Sequence, residues 1–324
     1  MNFITSILNP AVYHGHQKSP PFFEGWYYKL ISAGESEKVA IIPGIFLGED
    51  GYAFIQVLDG NTGEVEFIKF PSDQFAAGKQ EFSVHIQDNT FQLDSIQLDI
   101  HRPDFRIKGR LSFTGVTGWP VSLTSPGIMG WYAWVPKMEC YHAVLGFDHE
   151  IHGVLEINNR QIDFTGGRGY IEKDWGPSFP RGYAWMQTNH FPVPGVCLTA
   201  SIALIPWLGS AFRGFIVGLW IKGKLYRFAT YTGAKTEHLE ISDSAVVWHI
   251  RDRKHRLEIR ARRGITGDLK GPTRQDMGMR VAESLVAQIE TRLETSDGDV
   301  IFEGTGRNAG LEVAGDIERL LQTD

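Results

Sequence analysis

Gly166-Gly167-Arg168-Gly169-Tyr170-Ile171-Glu172-Lys173-Asp174-Trp175-Gly176 sets two carboxylates and a lysine among aromatic and apolar side chains, between glycines. Successive side chains of an extended strand point to opposite faces, so Tyr170, Glu172 and Asp174 share one side while Ile171, Lys173 and Trp175 share the other. One face of this strand is therefore acidic. Downstream, in 181–191, Trp185, Gln187 and Asn189 fall at the same spacing among further aromatics, and together the two segments read as the wall of a pocket. The two-residue period recurs at Val84/Ile86, Ile96/Leu98/Ile100, Leu155/Ile157, Leu257/Ile259/Ala261 and Leu285/Ala287/Ile289, with Leu293 beyond. Half-buried strands have this period, and the pattern predicts an all-β chain.

Glycines fall between these runs: Asp59-Gly60-Asn61-Thr62-Gly63 and Ser296-Asp297-Gly298-Asp299 read as hairpin turns. Helix is expected only near 317–321, and 73–79 reads as a turn or a helical fragment. Phe23-Glu24-Gly25-Trp26-Tyr27-Tyr28 and Pro180-Arg181-Gly182-Tyr183-Ala184-Trp185 both place a glycine before an aromatic strand. That faint duplication predicts two antiparallel β-barrel or sandwich halves. The Gly, Pro, Ser and Trp cluster in 116–135 places their boundary between 1–125 and 126–324.

The 324 residues carry a net charge of -6, which leaves no basic excess for nucleic acid. Cys140 and Cys197, the only two cysteines, sit among apolar and aromatic neighbours and read as free buried thiols of a reducing, cytoplasmic protein. Residues 1–13 lack the basic start and apolar core of a secretory signal. The uncharged run 191–212 is broken by prolines and glycines, and Ile205-Pro206-Trp207-Leu208-Gly209 reads as a turn between two buried strands instead of part of a membrane span. The basic run Arg251-Asp252-Arg253-Lys254-His255-Arg256, with Arg260, Arg262 and Arg263, reads as a solvated hairpin end; the alternative is contact with anionic lipid at a membrane periphery.

Glu172-Lys173-Asp174-Trp175-Gly176, Ser178-Phe179-Pro180 and the set Trp185, Gln187, Asn189 and Phe191 resemble the tocopherol cyclase family. Phe22-Phe23-Glu24-Gly25-Trp26-Tyr27-Tyr28 resembles its opening motif, and weaker matches lie at Gly271-Pro272-Thr273 and Gly310-Leu311-Glu312-Val313-Ala314-Gly315. The resemblance implies two lipocalin-like halves. It also implies a cofactor-independent enzyme that protonates a prenyl double bond and lets a phenolic oxygen capture the cation, acting on a small apolar isoprenoid such as a prenylated quinol. Asp174 departs from the plant pattern, in which the resemblance implies an amide.

Such chemistry needs a poorly hydrated acid, an aromatic cavity that excludes water, and polar groups that orient the phenol. Glu172 and Asp174 repel across one strand face, so one of them holds its proton to higher pH and is the candidate acid. The competing reading pairs them with Lys173, Arg168 or Arg181 as a structural ion pair. Glu24, set among aromatics, is open to the same two readings. Trp26, Tyr28, Tyr170, Trp175 and Trp185 are candidate walls of the cavity, with Trp131 and Trp134 as further aromatic faces for a cation; each also fits plain core packing. Gln187 and Asn189 are candidate orienting groups, and His142 lies on a strand that brings either it or Tyr141 inward. The 11 histidines show no recognised ligand spacing, so no metal site is expected. Gly166-Gly167-Arg168-Gly169 lacks a following helix and a Lys-Ser/Thr pair and reads as a turn or bulge. A non-catalytic carrier of an apolar ligand, or a hydratase that adds water to an isoprenoid alkene, are the alternative functions. A carrier would use the aromatics but not the adjacent carboxylates.

Overall fold

The computed structural model describes residues 3–207 and 209–323; Leu208, in the expected 205–209 turn, and Met1, at the start of the expected signal-free terminus, lie outside them. The chain is all-β, in two compact units. The first comprises Met1–Asp59, Glu64–Phe179 and Leu269–Met279, and the second Gly60–Gly63, Pro180–Asp268 and Arg280–Asp324. The break expected at 125/126 therefore falls inside the first unit. The irregular segment that suggested it is a long connection which packs Ile128 and Met129 into that unit, and the actual change of unit comes at Phe179/Pro180.

The first unit opens with a short helix, α1 (Phe3–Ile7), followed by β1 (Phe22–Ile31), β2 (Lys38–Leu47), β3 (Tyr52–Asp59), β4 (Val65–Pro71), β5 (Phe75–Ala77), β6 (Ser83–Ile86), β7 (Asn89–Gln92), β8 (Ser95–His101), β9 (Arg106–Thr117), β10 (Tyr141–Ile157), β11 (Arg160–Asp163) and β12 (Gly167–Gly176). The sheet runs β4-β3-β2-β1-β12-β10-β9-β8-β7-β6-β5, with β11 beside β10. Its two ends share a core, because Ile55 and Phe70 at one end belong to the same apolar cluster as Ile86 and Phe91 at the other. The sheet thus curls around its own inner face. The expected strand runs at 84–86, 96–100 and 155–157 all lie in it, and 73–79 is a 3-10 turn (Ser72–Gln74) running into β5.

Position 169 needs a glycine for space. A Cβ there would stand 2.1 Å from Nε2 of His149, whose ring is buried against Phe113 at 4.4 Å between centroids. The glycine-rich segment is accordingly a turn at Gly166, with φ +77°, leading into a strand, as its sequence implies.

The second unit contains β13 (Gly182–Thr188), β14 (Val196–Trp207), β15 (Ser210–Ile221), β16 (Lys224–Ala229), β17 (Lys235–Ile241), β18 (Ala245–Arg251) and β19 (His255–Arg262). After β20 (Gly267–Gly271) the chain passes through the first unit and returns as β21 (Met279–Thr295), β22 (Val300–Gly315) and α2 (Ile317–Gln322). Its main sheet order is β16-β15-β14-β13-β22-β21-β19-β18-β17, and Phe215 of β15 meets Trp248 of β18 edge to face at 5.6 Å across the core. The 191–212 run forms most of the β14–β15 hairpin, and no helix among the described residues is long and apolar enough to cross a membrane. The basic run is the β18–β19 hairpin, where Arg251 pairs with Glu237 at 2.5 Å and Arg262 with Glu290 at 2.8 Å.

Because the His149 ring occupies the space a Cβ would need, Gly169→Ala should lower stability by about 1–3 kcal/mol. Urea unfolding measures this, and an unchanged midpoint would mean the ring can move aside at no cost.

Candidate functional site

The architecture of the site follows from the place of β12 between β1 and β10. In register, Trp26 is opposite Lys173 and Glu24 opposite Trp175, so these four share the inner face with Tyr28 and Ile171. Tyr170, Glu172 and Asp174 occupy the outer face, and β10 places His142 opposite Asp174. The acidic face read from the sequence is present. Glu24 and Glu172, expected at one shared cavity together with Trp26 and Trp175, instead face opposite sides of this strand pair. The cause is the even and odd parity of the β1–β12 register, which the sequence alone does not fix.

On the inner face a charged cluster is sealed in the apolar core. Lys173 Nζ lies 2.6 Å from Glu24 Oε1, both side chains with 0% exposure, and donates to the Val12 carbonyl. The Glu24 carboxylate accepts the His14 backbone N–H at 2.9 Å. His14 Nδ1 accepts from Lys173 at 3.0 Å, while Nε2 faces the Ser6 carbonyl at 3.2 Å, an arrangement that assigns the ring proton to Nε2. The ring stacks on Trp175 at 4.3 Å with planes 7° apart. Burial and the Lys173 charge hold the His14 pKa down, in keeping with a neutral ring. Burial pushes the Glu24 carboxyl up, but Lys173 and His14 outweigh it and leave it below the usual carboxylate range. Burial brings the Lys173 ammonium down to about 8 against the pull of Glu24 and Asp174, and its charge lies 4.8 Å from the ring centre of Trp175 and 5.2 Å from that of Trp26. Tyr28 is a core side chain whose hydroxyl donates to the Gln92 carbonyl at 2.9 Å.

The outer face holds a second cluster. Tyr170 donates to Glu172 Oε2 at 2.5 Å; His142 Nδ1 lies 2.9 Å from Asp174 Oδ1, and its Nε2 lies 3.6 Å from Glu172 Oε2. Two of the three cations proposed as structural partners go elsewhere, Lys173 to Glu24 and Arg168 to Asp148 at 2.5 Å. One ligand atom each from His142, Glu172 and Asp174 can be found within 4.8 Å of one another, a grouping that histidine spacing along the sequence did not reveal. The imidazole turns a different nitrogen toward each carboxylate, bonding Asp174 through Nδ1 while Nε2 stands 3.6 Å from Glu172, whereas a metal would take only one of them; this geometry fits proton transfer better than a chelate.

A pocket of about 90 Å³ opens beside these groups. Its walls include His142, Tyr141, Trp175 and His14, with Met129 and residues of the N-terminal segment completing it. Tyr141 stacks on Trp175 at 5.4 Å, so the sequence question of whether Tyr141 or His142 points inward has the answer that both reach the pocket. Sequence reading missed His14 as a wall residue, and it had left Tyr141 and His142 as alternatives where the structure brings in both. Trp131 is 47% exposed and Trp134 donates to the Leu123 carbonyl at 3.0 Å. Trp185, Gln187 and Asn189 belong to the second unit, the first two on β13, and Asn189 Oδ1 is 2.8 Å from His190 Nδ1.

Comparison with known proteins agrees with these motifs. The family described as tocopherol cyclase-like matches residues 106–315. The chain belongs to this family. A probable chloroplastic tocopherol cyclase of Oryza sativa subsp. japonica is 26% identical over 94% of this chain and 77% of its own length. The chloroplastic tocopherol cyclase of Zea mays is 28% identical over 62% of this chain but only 44% of its own length. In fold, the chain is similar to the crystal structure of CghA (TM-score 0.61, 13% identity, 92% and 90% of the two chains) and to kievitone hydratase from Nectria haematococca (0.52, 12%, 94% and 93%). The chain thus shares an all-β, lipocalin-like fold with these structures.

Removing one partner of the inner pair strands a charge in the core, so Lys173→Met should cost about 3–5 kcal/mol, and the double variant Glu24→Leu/Lys173→Met should recover most of it. Urea unfolding at neutral pH distinguishes the two variants. The pair also has a pH signature. Because the folded pKa of Glu24 lies below 4.5, its contribution is complete above that value and is lost as pH falls through the folded pKa. Lys173 carries the same sign, because its folded pKa is depressed too: its burial cost is relieved as pH rises above about 8 and returns as pH falls through that value. The double variant should lack the acid-side part of the wild-type stability slope.

Proposed function

We propose that this protein is an acid-initiated cyclase of a prenylated hydroquinone, with Glu172 as the proton donor. The observation that carries the reading is the histidine held between two carboxylates on the wall of an aromatic pocket. A carboxylic acid is a stronger acid than an imidazolium and so better suited to protonate an alkene. Glu172 is 5% exposed, and its carboxyl is the source of the proton in this reading. That proton goes to the less substituted carbon of the trisubstituted double bond and leaves a tertiary cation. Tyr141 offers a π-face to the cation, and the narrow pocket limits the water that would otherwise trap it. The phenolic oxygen forms the C–O bond, and its proton passes to His142 Nε2 and on to Glu172, which returns the acid to its starting state. The sum is an isomerisation that consumes no co-reactant. Asp174, bonded to Nδ1, orients the imidazole for that return. The pocket volume accommodates the reacting end of the prenyl chain, with the remainder of the substrate lying outside it. The plant relatives named tocopherol cyclase support the substrate class.

Incubation of the full chain with a panel of prenylated hydroquinones in D₂O tests this. The expected product is a chroman carrying one deuterium at the carbon next to the ring-closing centre. Glu172→Gln should reduce turnover by about 10²–10⁴-fold. Asp174→Asn should retain more activity, because it leaves the donor in place. An acyclic tertiary alcohol would identify a hydratase, and tight binding with no product across the panel would identify a carrier.

A further inference from the structure

The solvent face of the second unit carries a histidine pair that spacing along the chain does not reveal. β17 ends the order of the main sheet, and its pairing with β18 is interrupted by a bulge between Thr236 and His238. Leu239 and Ile241 of β17 pack on the unit's apolar core, to which Trp248 and Ile250 of β18 also belong, so the alternate residues of both strands face outward. Thr236 turns inward, accepting from Trp248 Nε1 at 3.1 Å. The bulge then lets two successive residues face outward: Glu237 pairs with Arg251 at 2.5 Å, and His238 stands directly opposite His249.

The arginines around them are engaged. Arg262 pairs with Glu290, and Arg292, in register with Glu258, pairs with Glu294 and Glu303. The imidazoles differ. Among the described residues His249 has no hydrogen-bond or ion-pair partner, and His238 has only Glu240, its Nε2 lying 3.9 Å from Glu240 Oε2. Two protonated rings directly opposite each other would repel, whereas two neutral rings each offer a lone pair to one cation.

The distances fit such a cation. The ring centres of His238 and His249 are 5.2 Å apart. An ion about 2.0–2.1 Å from one nitrogen of each ring stands about 3.2 Å from each centre, and a tetrahedral angle at the ion then sets the centres about 5.2 Å apart. Nitrogen and oxygen ligands of one such ion are about 3.4 Å apart, so the Glu240 oxygen has only about half an ångström to move. The side chains of His238 and Glu240 are 50% and 67% exposed, which leaves them room to do so.

We infer that His238, His249 and Glu240 form a site for a divalent transition ion of the zinc class, which clips the edge strand β17 onto β18. Two imidazoles and a carboxylate suit zinc, copper and nickel, while magnesium and calcium require mainly oxygen ligands. Water fills the remaining position. β17 is paired in the sheet on one side only, so a second link to β18 acts where the sheet is most easily opened. The site stands on the second unit alone and does not depend on the cyclase reading.

Calorimetric titration of the full chain with zinc chloride in a non-chelating buffer at neutral pH tests the site, together with hydrogen exchange read by mass spectrometry in peptides covering 235–251. The wild type should bind zinc with a dissociation constant well below about 1 mM, and zinc should slow exchange in those peptides. His238→Gln and His249→Gln should each weaken binding at least about tenfold and remove the zinc-dependent protection, and Glu240→Gln should weaken binding by a smaller factor. Excess magnesium should not displace the zinc. His142→Gln should keep the protection in 235–251, which separates this site from the cluster beside the pocket. No binding by the wild type below about 1 mM, no protection of 235–251 by zinc, or equal binding by His238→Gln and His249→Gln would each overturn the assignment. Zinc uptake lost in His142→Gln but kept in His249→Gln would place the metal at the pocket and overturn it as well.

Discussion

The Glu24–Lys173 pair is the interaction on which the candidate pocket depends. Two charges taken out of water cost several kcal/mol each, and their mutual attraction offsets this only when the remaining donors and acceptors are also satisfied. Here the satisfaction comes from residues 12–14, through the Val12 carbonyl, the His14 backbone N–H and the His14 ring. A segment otherwise lacking strand pairing is thereby fixed against the inner face. Once fixed, it presents His14 to Trp175 and forms a wall of the pocket in which Tyr141 and His142 stand. Ionic chemistry on one face of β12 thus shapes the cavity served by the other.

A single strand carrying two unlike polar clusters is an economical consequence of the two-residue period. Lys173 is charged and sealed, so it acts as a structural anchor; Glu172 and Asp174, one position to either side, meet a histidine from the neighbouring strand. A shift of one residue in the β12 register would exchange the two sets and put both carboxylates into the apolar core. The long, mostly regular pairing with β1, from Phe23 opposite Gly176 to Ile31 opposite Arg168, guards against such a slip.

Much of the fold was legible because strand alternation is local. The runs ending at Ile100, Ile157 and Leu293 needed only their own neighbours to be read, and the turns at 59–63 and 296–299 declared themselves by glycine and aspartate. The unit boundary was not legible: 116–135 has the composition of a linker, but Ile128 and Met129 are buried, and burial is set by tertiary contacts. The site was legible by halves. Tyr170, Glu172 and Asp174 share a face because they lie on one strand. The separation of Glu24 from Glu172 depends on which residues of two distant strands are opposite, and the meeting of His142 with Asp174 depends on β10 lying beside β12 and not elsewhere. Pairing partners 32 positions apart leave no periodic trace in the sequence.

The excursion of Leu269–Met279 into the first unit bears on the order in which the protein can be made. Met277 fills an aromatic cluster with Phe23, Phe46 and Phe54, and the Gln56 amide pairs with the backbone of Lys270, donating at 2.9 Å and accepting at 2.8 Å. Domains usually finish folding as they leave the ribosome, the N-terminal one first. In this chain the earlier-synthesised unit must wait, with Gln56 and the Phe23 cluster incomplete, until more than half of the later one has been translated.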